Sequence, residues 1–306
     1  MIFQIDLNLL ERIHDAALSD LVSAIMDGRH YIRCRPNVRV AIEEAINKNA
    51  STTQFERFQN YHGFDIPTNL GKYVTTMNLS DFDDEQIQIL ITKPSWLIME
   101  NELNEWPVYK NIIQLYQKDR RFGDLYKLLS RVADKTLVPH STGGYGQFIQ
   151  TLIDYDTDCH YHGTLRYKSC TLVDRDTTDA TYYDGNKSTL YKFLSGKEIK
   201  DLTDTDIYTT EQSPYIWHMW YKRAIENYFP KENYRMIHAD TSKIPDNEEE
   251  KDYLKFDESI YHKRDLSKLT LGMTYSKYEQ SLKRFPFYGT DISELQLFLL
   301  KLVKII

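Results

Sequence analysis

The sequence predicts an α/β protein: a parallel sheet flanked by helices, preceded by a mainly helical segment and followed by a helical C-terminal region. Three observations carry this reading. Short runs of strand-forming residues alternate with longer segments of helical apolar spacing over the middle of the chain. Such alternation implies right-handed crossovers and a parallel sheet with helices on its faces. The first 88 residues and the last 16 show helical spacing instead.

Taken in order, "LLERIHDAALSDLVSAIM" and "VRVAIEEAI" place their apolar residues on one face of a helix, and residues 1–88 form a first region with no visible chemistry. The turn-like "SDFDD" at 80–84 suits a cap for the next element. The strand candidates are "SWLIME" (95–100), "TLVPH" (136–140), "SCTLVD" (169–174) and "DIYTT" (206–210). Between them lie the helix-like "EWPVYKNIIQLYQK", "FGDLYKLLSRVA", "YGQFIQTLI" and "KSTLYKFLSG", the last stopped by Gly196. These make a second region, 89–232. In the third, 233–306, "PDNEEEKD" (245–252) reads as an exposed, self-repelling loop. The closing "DISELQLFLLKLVKII" reads as a helix packed on the domain, with a face for a second copy of the chain, a homodimer, as the alternative.

Composition narrows the classes of function. With 306 residues, 41% hydrophobic and 27% charged, the chain is neither disordered nor membrane-spanning, since no apolar run approaches the roughly 20 residues a membrane helix needs. The start lacks the basic and apolar regions of a secretory signal, which places the expectation in the cytoplasm. Cys34, Cys159 and Cys170 show no framework spacing and read as reduced packing residues. A formal net charge of −7 excludes a surface coated in basic residues, so contact with nucleic acid would be local or assisted by metal. The 23 tyrosines read mainly as half-buried core residues, with base stacking as the alternative.

The candidate chemistry lies at the strand ends, where sites in parallel sheets form. The first strand closes on Glu100. The second runs into "HSTGGYG", with Gly143 and Gly144. The third ends in Asp174-Arg175-Asp176, and strand alternation would put Asp174 and Asp176 on one side of the chain. Carboxylates are the hard ligands that Mg²⁺ and Mn²⁺ prefer, and paired glycines let backbone amides approach an anion closely. Together these parts suit metal-assisted phosphoryl transfer.

"WLIMEN", "STGGYGQF" and "TLVDRD", in that order, resemble the topoisomerase–primase (toprim) domain, with a glutamate after the first strand, a glycine-rich turn and an Asp-x-Asp after the third. "KRAIENYFP" (222–230) is similar to the segment that follows toprim in nucleases of the overcoming-lysogenisation-defect type. The resemblance covers about residues 90–232. It implies a Mg²⁺- or Mn²⁺-dependent endonuclease of DNA or RNA, serving bacterial anti-phage defence beside an ABC-type ATPase. No Gly-x-x-x-x-Gly-Lys-Ser/Thr motif occurs here, so that ATPase would be a separate chain. A toprim-fold subunit that binds nucleic acid or metal without turnover is the alternative.

Glu100, Asp174 and Asp176 are then the expected catalytic metal ligands. Where relatives carry Gly after the first glutamate and an acid three or four positions on, this chain has Asn101, with Glu102 and Glu105 as the nearby acids. Lys222 and Arg223 fall one helical turn before Glu226, on a segment whose Ile216, Trp217, Trp220, Ala224 and Ile225 suggest a packed helix. Lys222 is expected to stabilise transition-state charge, Arg223 to join Gly143 and Gly144 on phosphate, and Glu226 to ligate metal or to pair with Lys222. Asn227 and Tyr228 read as structural. Cys159, His160 and His162 in "DCHYHG" lack the second pair a zinc finger needs, and His140 reads as an exposed loop histidine beside the glycine turn, with contact to substrate phosphate as the alternative.

Overall fold

The computed structural model describes residues 1–28, 30–67, 70–132, 137–157, 160–179, 183–209, 213–287 and 289–306. Thr136, Cys159 and Thr210, and with them the ends of two expected strands and one thiol, lie outside the described residues.

Three sheets form. β1 (Ile2–Gln4), β2 (Tyr31–Arg33) and β3 (Thr76–Asn78) make a parallel sheet of order β2-β1-β3. β4 (Ser95–Met99), β5 (Leu137–Ser141), β6 (Ser169–Val173) and β7 (Ile216–Met219) make a second parallel sheet of order β5-β4-β6-β7. β8 (Arg284–Phe287) and β9 (Thr290–Ser293) close an antiparallel hairpin. The N-terminal region is mainly helical, as its spacing predicts, yet it folds around a parallel sheet of its own. Three-residue strands carry too little alternation to register as a pattern.

The second sheet corrects the sequence reading at its edge. Residues 206–209 of "DIYTT" belong to the helix Asp204–Thr209, whose Ile207 and Tyr208 are buried at consecutive positions. The fourth strand is Ile216–Met219, inside the stretch read as a packed helix. Its Trp217, His218 and Met219 are all buried, so a fully buried strand shows no alternation to tell it from a helix. Tyrosine serves the core here: Tyr109, Tyr116, Tyr126, Tyr191, Tyr208 and Tyr234 are among the largest fully buried side chains. Cys170 is free and buried, and Cys34 is free and half-buried.

Each sheet has its own core. Phe3, Val22, Ile25, Val38 and Ile42 fill the first, and Leu97, Ile98, Ile112, Val173 and Trp217 belong to the second. The expected boundary at 88 falls inside the helix Asp84–Thr92. This helix gives Ile87 and Leu90 to the smaller core and Ile89 to the larger, so no linker separates the two. Asp83 caps it by accepting from the Gln86 amide at 2.8 Å, as the turn-like 80–84 suggested.

The closing helix, Glu294–Ile305, packs against β6, β7 and β9 and buries every residue except Lys304, which is half-buried. It is a core element and offers no face to a second copy. "PDNEEEKD" is also only partly a loop: it contains the helix Glu248–Asp252, which turns Lys251 into the interior.

Candidate functional site

The carboxyl ends of β4, β5 and β6 meet at a cleft of about 340 Å³ lined by Glu100, Glu105, Asp174 and Glu226, with Gly143 and Gly144 at one side and Lys263 at another. Its acids come from four places in the sequence, and each is fixed by local structure.

Glu100 follows β4 directly. Asn101 then caps the helix Glu102–Tyr116 by accepting from the Asn104 amide at 3.3 Å. Glu105 closes that first turn. Its Oε1 accepts from the Asn101 amide at 3.2 Å, and its Oε2 accepts from the Tyr109 hydroxyl, one helical turn on, at 3.0 Å. Of the two nearby acids left open by the sequence, Glu105 faces the cleft, while Glu102 is not among its lining residues. After β5, Ser141 donates to the Glu100 carbonyl at 2.8 Å, and the Thr142 amide donates to the Met99 carbonyl at 3.1 Å. The turn is thereby held against the end of β4. Gly143 and Gly144 take φ of 74° and 142°, which a side chain would strain.

After β6 the alternation expected of Asp174-Arg175-Asp176 breaks. Asp174 lines the cleft. Arg175 turns fully inward, its Nε donating to the Trp220 carbonyl at 3.2 Å between the rings of Tyr183 and Tyr221. Asp176 adopts φ of 59°, unusual for a residue other than glycine, and its amide donates to the Arg223 carbonyl at 3.1 Å. Its carboxylate accepts from Lys187 Nζ at 2.6 Å and lies 3.8 Å from Arg223. Asp176 therefore borders the cleft through Lys187 rather than lining it.

The segment after β7 departs furthest from expectation. Lys222 and Glu226 share no helix face: a loop leads to the short 3-10 helix Ile225–Tyr228. Glu226 is buried at the cleft, its Oε1 accepting from the Tyr261 hydroxyl at 3.0 Å. Lys222 points away, paired with Asp252 at 2.5 Å and lying over the Tyr228 ring. Arg223 donates to the Thr177 carbonyl at 3.1 Å and is not among the cleft residues. The expected catalytic place of Lys222 and phosphate place of Arg223 are thus occupied by structural pairings. Glu294, the first residue of the closing helix, anchors this loop by accepting from the Tyr221 amide at 2.6 Å and from the Tyr228 hydroxyl.

The electrostatics are those of acids crowded together with few cations. Burial pushes the Glu105 carboxyl up to about 8, reinforced by Glu226. Burial also holds Asp174 well above the usual carboxylate range, with Glu105 and Glu226 adding to it. Glu100 is raised by burial, and Lys187 partly offsets this. Its Oε1 is a buried oxygen with no hydrogen-bond partner. An all-oxygen donor set with an orphaned carboxylate oxygen fits a hard divalent cation. Among the described residues, however, no three His, Cys, Asp or Glu side chains are already gathered tightly enough to hold an ion.

Sequence reasoning missed Lys187, Lys263, Tyr109 and Tyr261. Tyr109 was within reach as the i+4 neighbour of Glu105. Lys187 carried a subtler signal, because a cation immediately before the helix Ser188–Ser195 opposes the helix dipole and calls for an anion. Lys263 and Tyr261 arrive from a distant part of the chain, where the 3-10 helix Lys263–Thr270 packs on Glu102–Tyr116. His140 stacks on Trp96 at 4.6 Å and packs away from the cleft. Within "DCHYHG", His162 lies 3.3 Å from Glu85.

Fold and site together define an α/β protein with an acidic cleft at the carboxyl edge of a four-stranded parallel sheet. Comparison with protein-family models, with curated proteins and with solved structures returned no match. No helix among the described residues is long and apolar enough to cross a membrane.

Proposed function

We propose that the protein is a metal-dependent nuclease of the toprim type, hydrolysing phosphodiester bonds of DNA or RNA in this cleft. The observation that carries the reading is the convergence of Glu100, Glu105, Asp174 and Glu226 beside the Gly143-Gly144 turn at the carboxyl ends of parallel strands. Toprim resemblance supplies the order of the parts: glutamate, glycine turn, Asp-x-Asp.

Under this reading Glu100, Asp174, Glu105 and Glu226 hold Mg²⁺ or Mn²⁺. When bound, the ion neutralises charge on the scissile phosphate and lowers the pKa of a coordinated water. The chain's own contributions are positional. Tyr109 and the Asn101 amide hold one Glu105 oxygen each and Tyr261 holds Glu226 Oε1, and each carboxylate oxygen keeps further acceptor capacity beyond that bond. The backbone at Gly143 and Gly144 has no side chain to keep a phosphate away. Lys263 supplies positive charge at the rim for a polyanion. Asp176 orders the turn that presents Asp174. A separate ABC-type ATPase as partner and a role in anti-phage defence belong to the same proposal.

A cleft that binds nucleic acid without cutting it is the second reading, favoured by the absence of a ready-made three-acid cluster among the described residues. Incubating the purified protein with plasmid DNA and total RNA, in Mg²⁺, Mn²⁺ or chelator, separates the two. The nuclease reading expects cutting that needs metal. Binding with intact substrate in every condition supports the second.

A further inference from the structure

The Lys187 side chain is only 1% exposed. Its ammonium donates to Asp176 Oδ2 at 2.6 Å and to the Asp174 carbonyl at 2.7 Å, and it lies 3.9 Å from Glu100 Oε1. Tyr145, next to the glycine turn, covers it with the ring centre 5.6 Å away. Local structure builds the position: Asp184 caps the short 3-10 helix Gly185–Lys187, and the Lys187 amide donates to the Asp184 carbonyl at 3.0 Å. A buried ammonium is costly unless anions surround it, so this lysine is held here by the acids and in turn holds them.

The same contacts set up a conflict with any metal. The two carboxylates nearest the ammonium, on Asp176 and Glu100, were the two ends of the expected ligand set. We propose that Lys187 is the resident counter-charge of the acidic cleft, holding Asp176 and Glu100 while no ion is bound, so that ammonium and divalent cation compete for the Glu100 carboxylate. This rests on reading the cleft as a metal site.

Two consequences follow from the geometry. The ammonium lets several carboxylates share a cleft without an ion, because it cancels part of their repulsion. It also weakens the pull on an entering cation, both by its hold on Glu100 and by its own positive charge. The Asp174 carbonyl bond ties the backbone of the Asp-x-Asp turn to the same switch.

The test is Mn²⁺ binding, read as loss of the free-ion electron paramagnetic resonance signal, with no substrate present. Lys187→Met and Lys187→Gln remove the charge. The glutamine can still donate to the Asp174 carbonyl and carries the test where the methionine variant does not fold. Both should bind Mn²⁺ about tenfold more tightly than the wild type, or better. Lys192→Met, which deletes an exposed lysine of the following helix paired with Glu198, should match the wild type. Unchanged or weaker affinity in folded Lys187→Gln, with the wild type binding Mn²⁺, overturns the competition and leaves the metal site standing. Absence of binding in the wild type and every variant overturns both.

Discussion

Two parallel sheets form among the described residues, and an acid follows a strand in each. After β1, Asp6 is satisfied: it accepts from the Leu9 amide at 3.1 Å and from the Ser80 hydroxyl, and these bonds hold its carboxyl below the usual range. After β4 and β6, Glu100 and Asp174 face a cleft shared with Glu105 and Glu226, and burial holds both carboxyls above the usual range. All three acids lie within two residues of a strand's end, and the electrostatics are opposite. A carboxylate at a strand's end is a cap when backbone and hydroxyl donors reach it. It becomes a functional candidate when other acids reach it first.

The sharpest way to break this contrast is to neutralise one acid from each sheet. Asp174→Asn removes a charged oxygen with almost no change in volume, and cleavage should fall more than roughly 100-fold while the melting temperature holds. Retained cutting by this folded variant would take Asp174 out of the site. Lys222→Ala tests an acid outside the cleft that is already paired. It strands Asp252, which keeps 23% of its side-chain surface in solvent, and should cost about 2 kcal/mol of stability, below the value for a fully buried pair. Its Mn²⁺ affinity and cleavage rate should match the wild type, and slowed cleavage with Mn²⁺ affinity intact would return Lys222 to the cleft. Asp6→Ala should cost about 1 kcal/mol in denaturant unfolding and leave cleavage unaltered, the signature of a lost cap.

A slope rather than a level distinguishes the sheets by pH. Glu105 is raised from 4.5 to about 8, so over that interval the folded chain binds more protons than the unfolded one. Its contribution to stability is complete below pH 4.5 and is lost as pH rises through about 8. The metal-free wild type should therefore lose stability relative to Glu105→Gln as pH rises across this window. Parallel curves for the two proteins would mean that Glu105 is neither buried nor crowded by its neighbours.

Much of the second sheet was legible because each of its first three strands ends in a residue type that breaks the apolar run: Glu100, the glycine pair, Asp174. β7 was not, because a strand buried on both faces shows no alternation, and Trp217 with the following Trp220 fits a helix equally well. The acids were readable from chemistry and order, and all of Glu100, Glu105, Asp174 and Glu226 reach one cleft. Lys222 was misplaced because its assignment rested on a helix that does not form. Lys187 was overlooked because its partners are set by the φ of 59° at Asp176, a turn that sequence spacing does not encode.

The account stands most directly on the initial cleavage rate measured against Mn²⁺ concentration for the wild type and Glu226→Gln. If Glu226 helps to hold the ion, the variant should be slow at low Mn²⁺ and approach the wild-type rate as the ion is raised, because a missing ligand weakens affinity before it removes chemistry. Identical curves for the two proteins would contradict the account, since the buried carboxylate that closes the cleft would then play no part in holding the metal.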